Sequence, residues 1–191
     1  MTASLVHGDH VSCSRVGGGM RREASRLRQH ALSLEDAIGE LVVWKGPGAD
    51  AARPAIVASW EALRAAADVL DEAGGALQRY ATDLAEGHEL GRRAELRVHS
   101  AGLLLDGTRV IEPWGPASAQ ESERRCSQVP VVQARVDLAT AHVGRARDRL
   151  ARQMASLAQA LGVVLNQVSA SRVCRVWGAT CNSSLRASHR G

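Results

Sequence analysis

With 191 residues and a formal net charge of +4, the chain has room for one domain with a core of its own, or for a helical bundle that buries less per residue, but not for two independent domains. It contains no Phe and one Tyr; Ala, Leu and Val dominate its apolar vocabulary, and few runs alternate at period two, which excludes a large β-sheet and points to helices packed through small residues. Residues 20–105 carry 11 basic and 13 acidic groups, residues 106–166 carry 8 and 6, and residues 167–191 carry 4 and none, so the excess lies in the tail and the clustered cations that nucleic-acid binding needs are missing from the rest.

The N-terminal "MTASLVHGDHVSCSRVGGG" lacks the apolar stretch of a cleavable signal peptide. Asp9 is placed to cap a helix, its carboxylate accepting from a free backbone N–H of the first turn. From there Cys13, Gly17, Met20, Ala24, Leu27, Ala31, Leu34, Ile38 and Leu41 recur at steps of three or four. That is a coiled-coil-like seam along one long amphipathic helix. Gly17-Gly18-Gly19 weakens its start by about 1 kcal/mol per Gly relative to Ala, so the first two turns are expected to fray. The helix is expected to stop at Trp44, with Gly46 in the left-handed conformation of a C-terminal cap and Pro47 unable to prolong it.

A second helix, from about Asp50, carries Ile56, Trp60, Leu63, Ala67, Leu70, Gly74, Leu77, Ala81 and Leu84 on one face. Folding the two seams back about Gly46-Pro47 pairs Ile38 with Ile56, Leu34 with Trp60, Ala31 with Leu63, Leu27 with Ala67 and Ala24 with Leu70. Each pair of residue numbers adds to 94, as an antiparallel hairpin of fixed register requires. The helix can run on to about Leu105, a span of roughly 80 Å, with Gly74-Gly75 and Gly87 as the places where it would bend.

Residues 106–131, "DGTRVIEPWGPASAQESERRCSQVPV", read as a connection rich in Gly, Pro and polar groups. A third helix over 132–166 follows, with Val136, Ala139, Val143, Ala146, Leu150, Leu157 and Leu161 on one face. It can run back along the second with Val98 opposite Val136, Gly91 opposite Val143 and Leu84 opposite Leu150. Residues 167–191, basic and Ser-rich without periodicity, read as a disordered tail. The expected fold is therefore all-α: an antiparallel helical hairpin over 1–105, extended by the third helix to an elongated three-helix bundle. No segment reaches the 18 or more apolar residues of a membrane span.

With the hairpin in place, Trp44-Lys45-Gly46 gains significance. The indole of Trp44 would cover the hairpin tip, Gly46 would permit the reversal, and Ala49 to Ala52 would let the second helix start close against it. "GDHVSCSRVGGGMRREASRLRQHALSLEDAIGELVVWKGPGADAARPAI" resembles the start of the WXG-motif family of small helical-hairpin proteins exported through type VII secretion, and the resemblance covers residues 8 to about 90. It implies a non-enzymatic secretion substrate, or the export-targeting and pairing module of an effector. Its partners would be a WXG-like heterodimer partner or a second copy, together with the secretion machinery. Location would be outside the cell without a cleaved signal peptide, and the Ala, Arg and Gly load fits an actinobacterial source. Two departures stand out. Family members often carry an aromatic residue about eight positions after the Trp, where this chain has Ala52. The family's export signal, a Tyr followed four residues later by an acidic group, meets Leu84 after Tyr80, with Asp83 one residue early. The alternative is that Trp44 and Gly46 simply close a hairpin in a cytoplasmic scaffold or homo-oligomer.

Partner or structural residues are expected at Trp44, Gly46, Trp60, Leu63, Leu70, Leu77, Tyr80 and Trp114. Trp114 stands between two prolines in "EPWGPAS", docked against the bundle end or offered to a partner. Trp44→Ala should cost about 3–5 kcal/mol if the indole is buried. His7, His10 and Cys13 share a spacing of three along one helix face, but nothing completes a metal site. There is no phosphate loop, G-x-S-x-G elbow or H-E-x-x-H. No cofactor, metal or catalytic residue is expected. The cysteines, at 13, 126, 174 and 181, have no C-x-x-C spacing and read as free thiols, with Cys174 and Cys181 the pair that could join in an oxidising compartment.

Overall fold

The structure, a computed structural model, describes residues 5–40 and 43–170. It is all-α, with three helices among the described residues: α1 over His10–Glu40, α2 over Pro47–Ser100 and α3 over Ala119–Ala170. A short antiparallel hairpin, β1 over Leu104–Asp106 and β2 over Arg109–Ile111, lies between α2 and α3. The expected tail over 167–191 lies mostly outside the described residues, and α3 runs to Ala170.

Asp9 caps α1 as its sequence position predicts. Its Oδ1 accepts from Val11 N at 2.9 Å and its carbonyl accepts the first helical bond, from Cys13 N, at 3.2 Å. Hydrogen bonding from Ser12 holds the Asp9 carboxyl below its usual value, as a charged cap should be. The triple glycine does not break the helix: α1 is continuous from His10. The expected end at Trp44 and the role of Gly46 are both corrected. α1 is described to Glu40, residues 43–45 are already outside a helix, and Gly46 opens α2, its carbonyl accepting from Ala49 N at 2.9 Å and Asp50 N at 3.1 Å. Pro47 then takes the first helical position, where a missing N–H costs nothing.

α2 passes Gly74, Gly75 and Gly87 without interruption. It closes at Gly102 (φ +66), where Leu103 N donates to Val98 O at 3.0 Å and Gly102 N to His99 O at 3.0 Å. That paired bonding is a Schellman cap, and its hydrophobic clasp is Leu103 with Val98, both in one buried cluster. The third helix starts at Ala119 rather than 132, because Ser118 caps it: Glu121 N donates to Ser118 Oγ at 3.2 Å and Ser122 N to Ser118 O at 2.9 Å. Pro130 is exposed inside it.

The chain divides into two compact units. The first gathers the N-terminal segment up to Gly17 with Ala76–Gln153. Its core joins Leu5, Ala94, Val98, Leu103, Val110, Val132, Val136 and Ala139, with a second cluster of Val6, Leu84 and Val143. The α2 and α3 segments here run antiparallel about one turn away from the expected register. A Cβ on Gly87, not Gly91, would meet Val143, at 2.3 Å from Cγ2. Gly91 instead receives the N-terminal segment, a Cβ there lying 3.2 Å from Val6 Cγ2 and 3.7 Å from Leu5 Cβ. Arg149 to Asp83 at 2.9 Å and His142 Nε2 to the Asp83 carbonyl at 3.2 Å also join the two segments. α3 also holds the β-hairpin: Gln133 accepts from Val110 N at 2.7 Å and donates to Thr108 O at 2.9 Å.

The second unit gathers Gly18–Gly75 with the chain from Met154. Its α1 and α2 segments form an antiparallel helical hairpin. Arg21 pairs with Asp71 at 3.1 Å, and Arg28 with Asp68 at 3.0 Å and Asp71 at 3.2 Å. The fully buried positions on these two segments are small: Ala24, Ala31, Ala49, Ala67 and Ala73, together with Gly74. The leucines expected opposite them are only half-buried.

Candidate functional site

The turn between α1 and α2 is set by backbone chemistry. Gly46 sits at φ +118, a region that side chains disfavour. A Cβ there would meet nothing within 4 Å, so the requirement is conformational and not steric. Arg53, one and a half turns into α2, donates from Nη2 to the Trp44 carbonyl at 2.6 Å and from Nη1 to Asp50 Oδ1 at 3.1 Å. This ties the segment before the turn to the helix after it. The Trp44 indole lies over Gly48, whose Cβ would be 3.6 Å from Cζ2. It is 44% exposed, which corrects the expectation of a covered tip. Val43, 83% exposed, and Val57 add apolar surface in the same unit.

Trp60 is half-buried on α2. The Arg64 guanidinium stands over its ring at 4.8 Å from the centroid, and its Nε1 is shielded from solvent with no hydrogen-bond partner. An indole N–H so placed usually finds an acceptor. Leu63 and Leu70 are also half-buried, so the apolar stripe that reads as seam in the sequence is partly uncovered.

The remaining expected residues lie in the other unit. Leu77 and Tyr80 are half-buried, Tyr80 against Val6, Leu84 and Val143. Trp114 is 100% exposed, which leaves it undocked. The structure thus puts Trp44, Gly46, Trp60, Leu63 and Leu70 in one unit and Leu77, Tyr80 and Trp114 in the other. Arg53 and Arg64 were missed in the sequence. Their signal was an Arg seven residues beyond the turn glycine and another four beyond Trp60.

No group of three or more His, Cys, Asp or Glu is arranged to hold a metal ion among the described residues. His10 packs edge-on to His88, ring centroids 5.8 Å apart, and Cys13 and Cys126 are free. Cys174 and Cys181 lie outside the described residues. No described helix is long and apolar enough to cross a membrane. The chain matches no protein-family model, no curated protein and no solved structure.

Proposed function

We propose that this chain performs no chemistry of its own and works as a helical recognition module, a type VII secretion substrate or the export-targeting and pairing module of an effector. The observation that carries the reading is the Trp44 indole, half-exposed on a turn held by Arg53. An aromatic on a fixed turn offers large contact area at little ordering cost, the usual makeup of a protein-contact hot spot. Half-buried Trp60, Leu63 and Leu70 would extend that surface along α2. Binding then selects folded helices by shape and apolar area.

The test is to fractionate cultures of the native host into cells and medium, with and without its secretion ATPase, and to probe for the chain and its Trp44→Ala variant. Appearance in the medium that depends on both the ATPase and Trp44 is the expected result. Retention in the cells under every condition would make Trp44-Lys45-Gly46 a turn alone and favour an intracellular scaffold. Light scattering on the purified chain then separates a self-pairing module from one that waits for another protein.

A further inference from the structure

A two-stranded hairpin has two outer edges, and here the protein covers one of them. The two-residue turn Gly107-Thr108 makes Asp106 and Arg109 a hydrogen-bonded pair, so the next pair, Leu105 and Val110, turns its N–H and C=O groups outward instead of across the hairpin. The β2 edge shows this directly: Val110 N donates to Gln133 Oε1 at 2.7 Å, and Gln133 Nε2 donates to the Thr108 carbonyl at 2.9 Å. α3 thus closes that edge. On the β1 edge the Leu105 N–H and C=O have no hydrogen-bond partner among the described residues. Exposed edges are ordinarily blunted by a charge, a Pro, a bulge or a covering element, and Leu104-Leu105 carries no charge, Pro or bulge.

Leu104 and Leu105 line a cleft of about 500 Å³ between β1, the last turns of α2 and the N-terminal segment, all within the first unit. Its charged groups are occupied. Glu95 Oε1 accepts from Leu5 N at 2.8 Å, and Arg92 bonds Glu89 through Nε and Nη2, each at 2.9 Å. Apolar surface remains along it, with Leu96 56% and Leu104 46% exposed. An open main-chain edge beside uncovered leucines, with its charges already paired, calls for one occupant: a neutral peptide segment in extended conformation. We propose that β1 accepts such a segment of a partner protein as a third strand, bonded to Leu105 and lying against Leu104 and Leu96. Strand addition draws its affinity from main-chain bonds and its selectivity from alternate side chains. This site is independent of the partner contact at Trp44.

The test is calorimetric titration of the full chain with an acetylated and amidated Val-Thr-Val-Thr-Val peptide, followed by amide hydrogen exchange of the complex. One saturable site is expected. At a free peptide concentration about ten times Kd, the Leu105 amide should exchange about tenfold more slowly, while that of Val110, already bonded to Gln133, should change little. The same peptide N-methylated at every residue keeps its side chains, loses its donors and should not bind. Leu105→Pro, which an outward-facing edge position admits, should weaken the parent peptide about fivefold through the lost N–H. Absence of saturable binding, unaltered exchange at Leu105, equal affinity for the N-methylated peptide or full affinity in Leu105→Pro would each overturn the proposal. So would slowing of the Leu105 amide by raising the concentration of the chain alone, which would give the edge to a second copy.

Discussion

A side chain's contribution depends on how much of it is covered, and two residue types here can be weighed on that basis. Trp44 is 44% exposed, so its truncation forfeits only part of the burial of a full indole. Arg53 grips its carbonyl, not its ring, and that bond survives in alanine. Trp44→Ala should therefore cost about 2 kcal/mol, below the about 3–5 kcal/mol of a buried tryptophan, as urea denaturation would measure. A loss of the larger size would mean that the indole is covered in solution, as it would be in a self-paired form. The helical glycines divide just as sharply. A methyl on Gly87 would sit 2.3 Å from Val143 Cγ2, and a buried β-branched side chain has little freedom to move aside. Gly144 has open space around its Cβ position. Gly87→Ala should destabilise by about 1–2 kcal/mol through overpacking, and Gly144→Ala should stabilise by about 0.5–1 kcal/mol through helix propensity. Thermal melts of the two variants should move in opposite directions; a shared direction would remove the close α2–α3 contact at Gly87.

Between elements, the hairpin of α1 and α2 is clamped by charge where its seam is thin. Arg21 and Arg28 converge on Asp71 and hold its carboxyl below its usual range. Arg92 and Arg93 do the same for Glu89 on its own helix, down to about 2. A carboxyl depressed by folding binds fewer protons in the folded state than in the unfolded one. Its stabilisation is present above the unfolded value and is lost as pH falls through the folded one. Stability should therefore decline between about pH 4.5 and 2, the span of the Glu89 shift. Asp71→Asn should flatten part of that decline in urea titrations at successive pH values. An unchanged acid slope would show that the Arg21 and Arg28 pairs are too solvated to matter, as many exposed pairs are. The direction of this pairing was legible because periodic apolar residues fix which faces meet. The one-turn offset of α3 was not, since Gly87 and Gly91 occupy equivalent seam positions and only the insertion of Leu5 and Val6 against Gly91 distinguishes them. Two local signals went unused. Asp106-Gly107 between "LLL" and "RVI" is a hairpin signal, and Gly107 at φ +58 with no positive φ at Thr108 is the type II′ pattern. Ser118 with Glu121 opens α3 in the S-x-x-E spacing of a capping box. Both lie in a stretch whose Gly, Pro and charge content reads as loop. Trp44 was found by its motif, but its exposure depends on what covers the tip, which periodicity does not encode.

Across the molecule, the two units are held by different materials. In the first, Leu84, Leu103, Val132 and Val136 are almost completely buried, and each such side chain contributes roughly 1.5–3 kcal/mol over its exposed state. In the second, the residues buried to the same degree between α1 and α2 are alanines, Ala24, Ala31, Ala49 and Ala67, each removing only about one methyl group from water, while the larger apolar side chains of these two segments keep part of their surface wet and Leu157 of α3, 8% exposed, is the large buried side chain among the described residues of the unit. Small residues let helices approach closely, yet they supply little free energy per position. Local opening should follow that difference. In native-state hydrogen exchange, amides of residues 24–31 and 60–70 should exchange well before those of 84–98 and 132–143, and the gap should narrow whenever something covers Trp60, Leu63 and Leu70, because a ligand that binds only the closed form adds its binding free energy to local stability. Equal protection in both regions of the isolated chain would mean that the alanine seam already holds as firmly as the leucine and valine core, leaving no unmet apolar surface for a partner to complete.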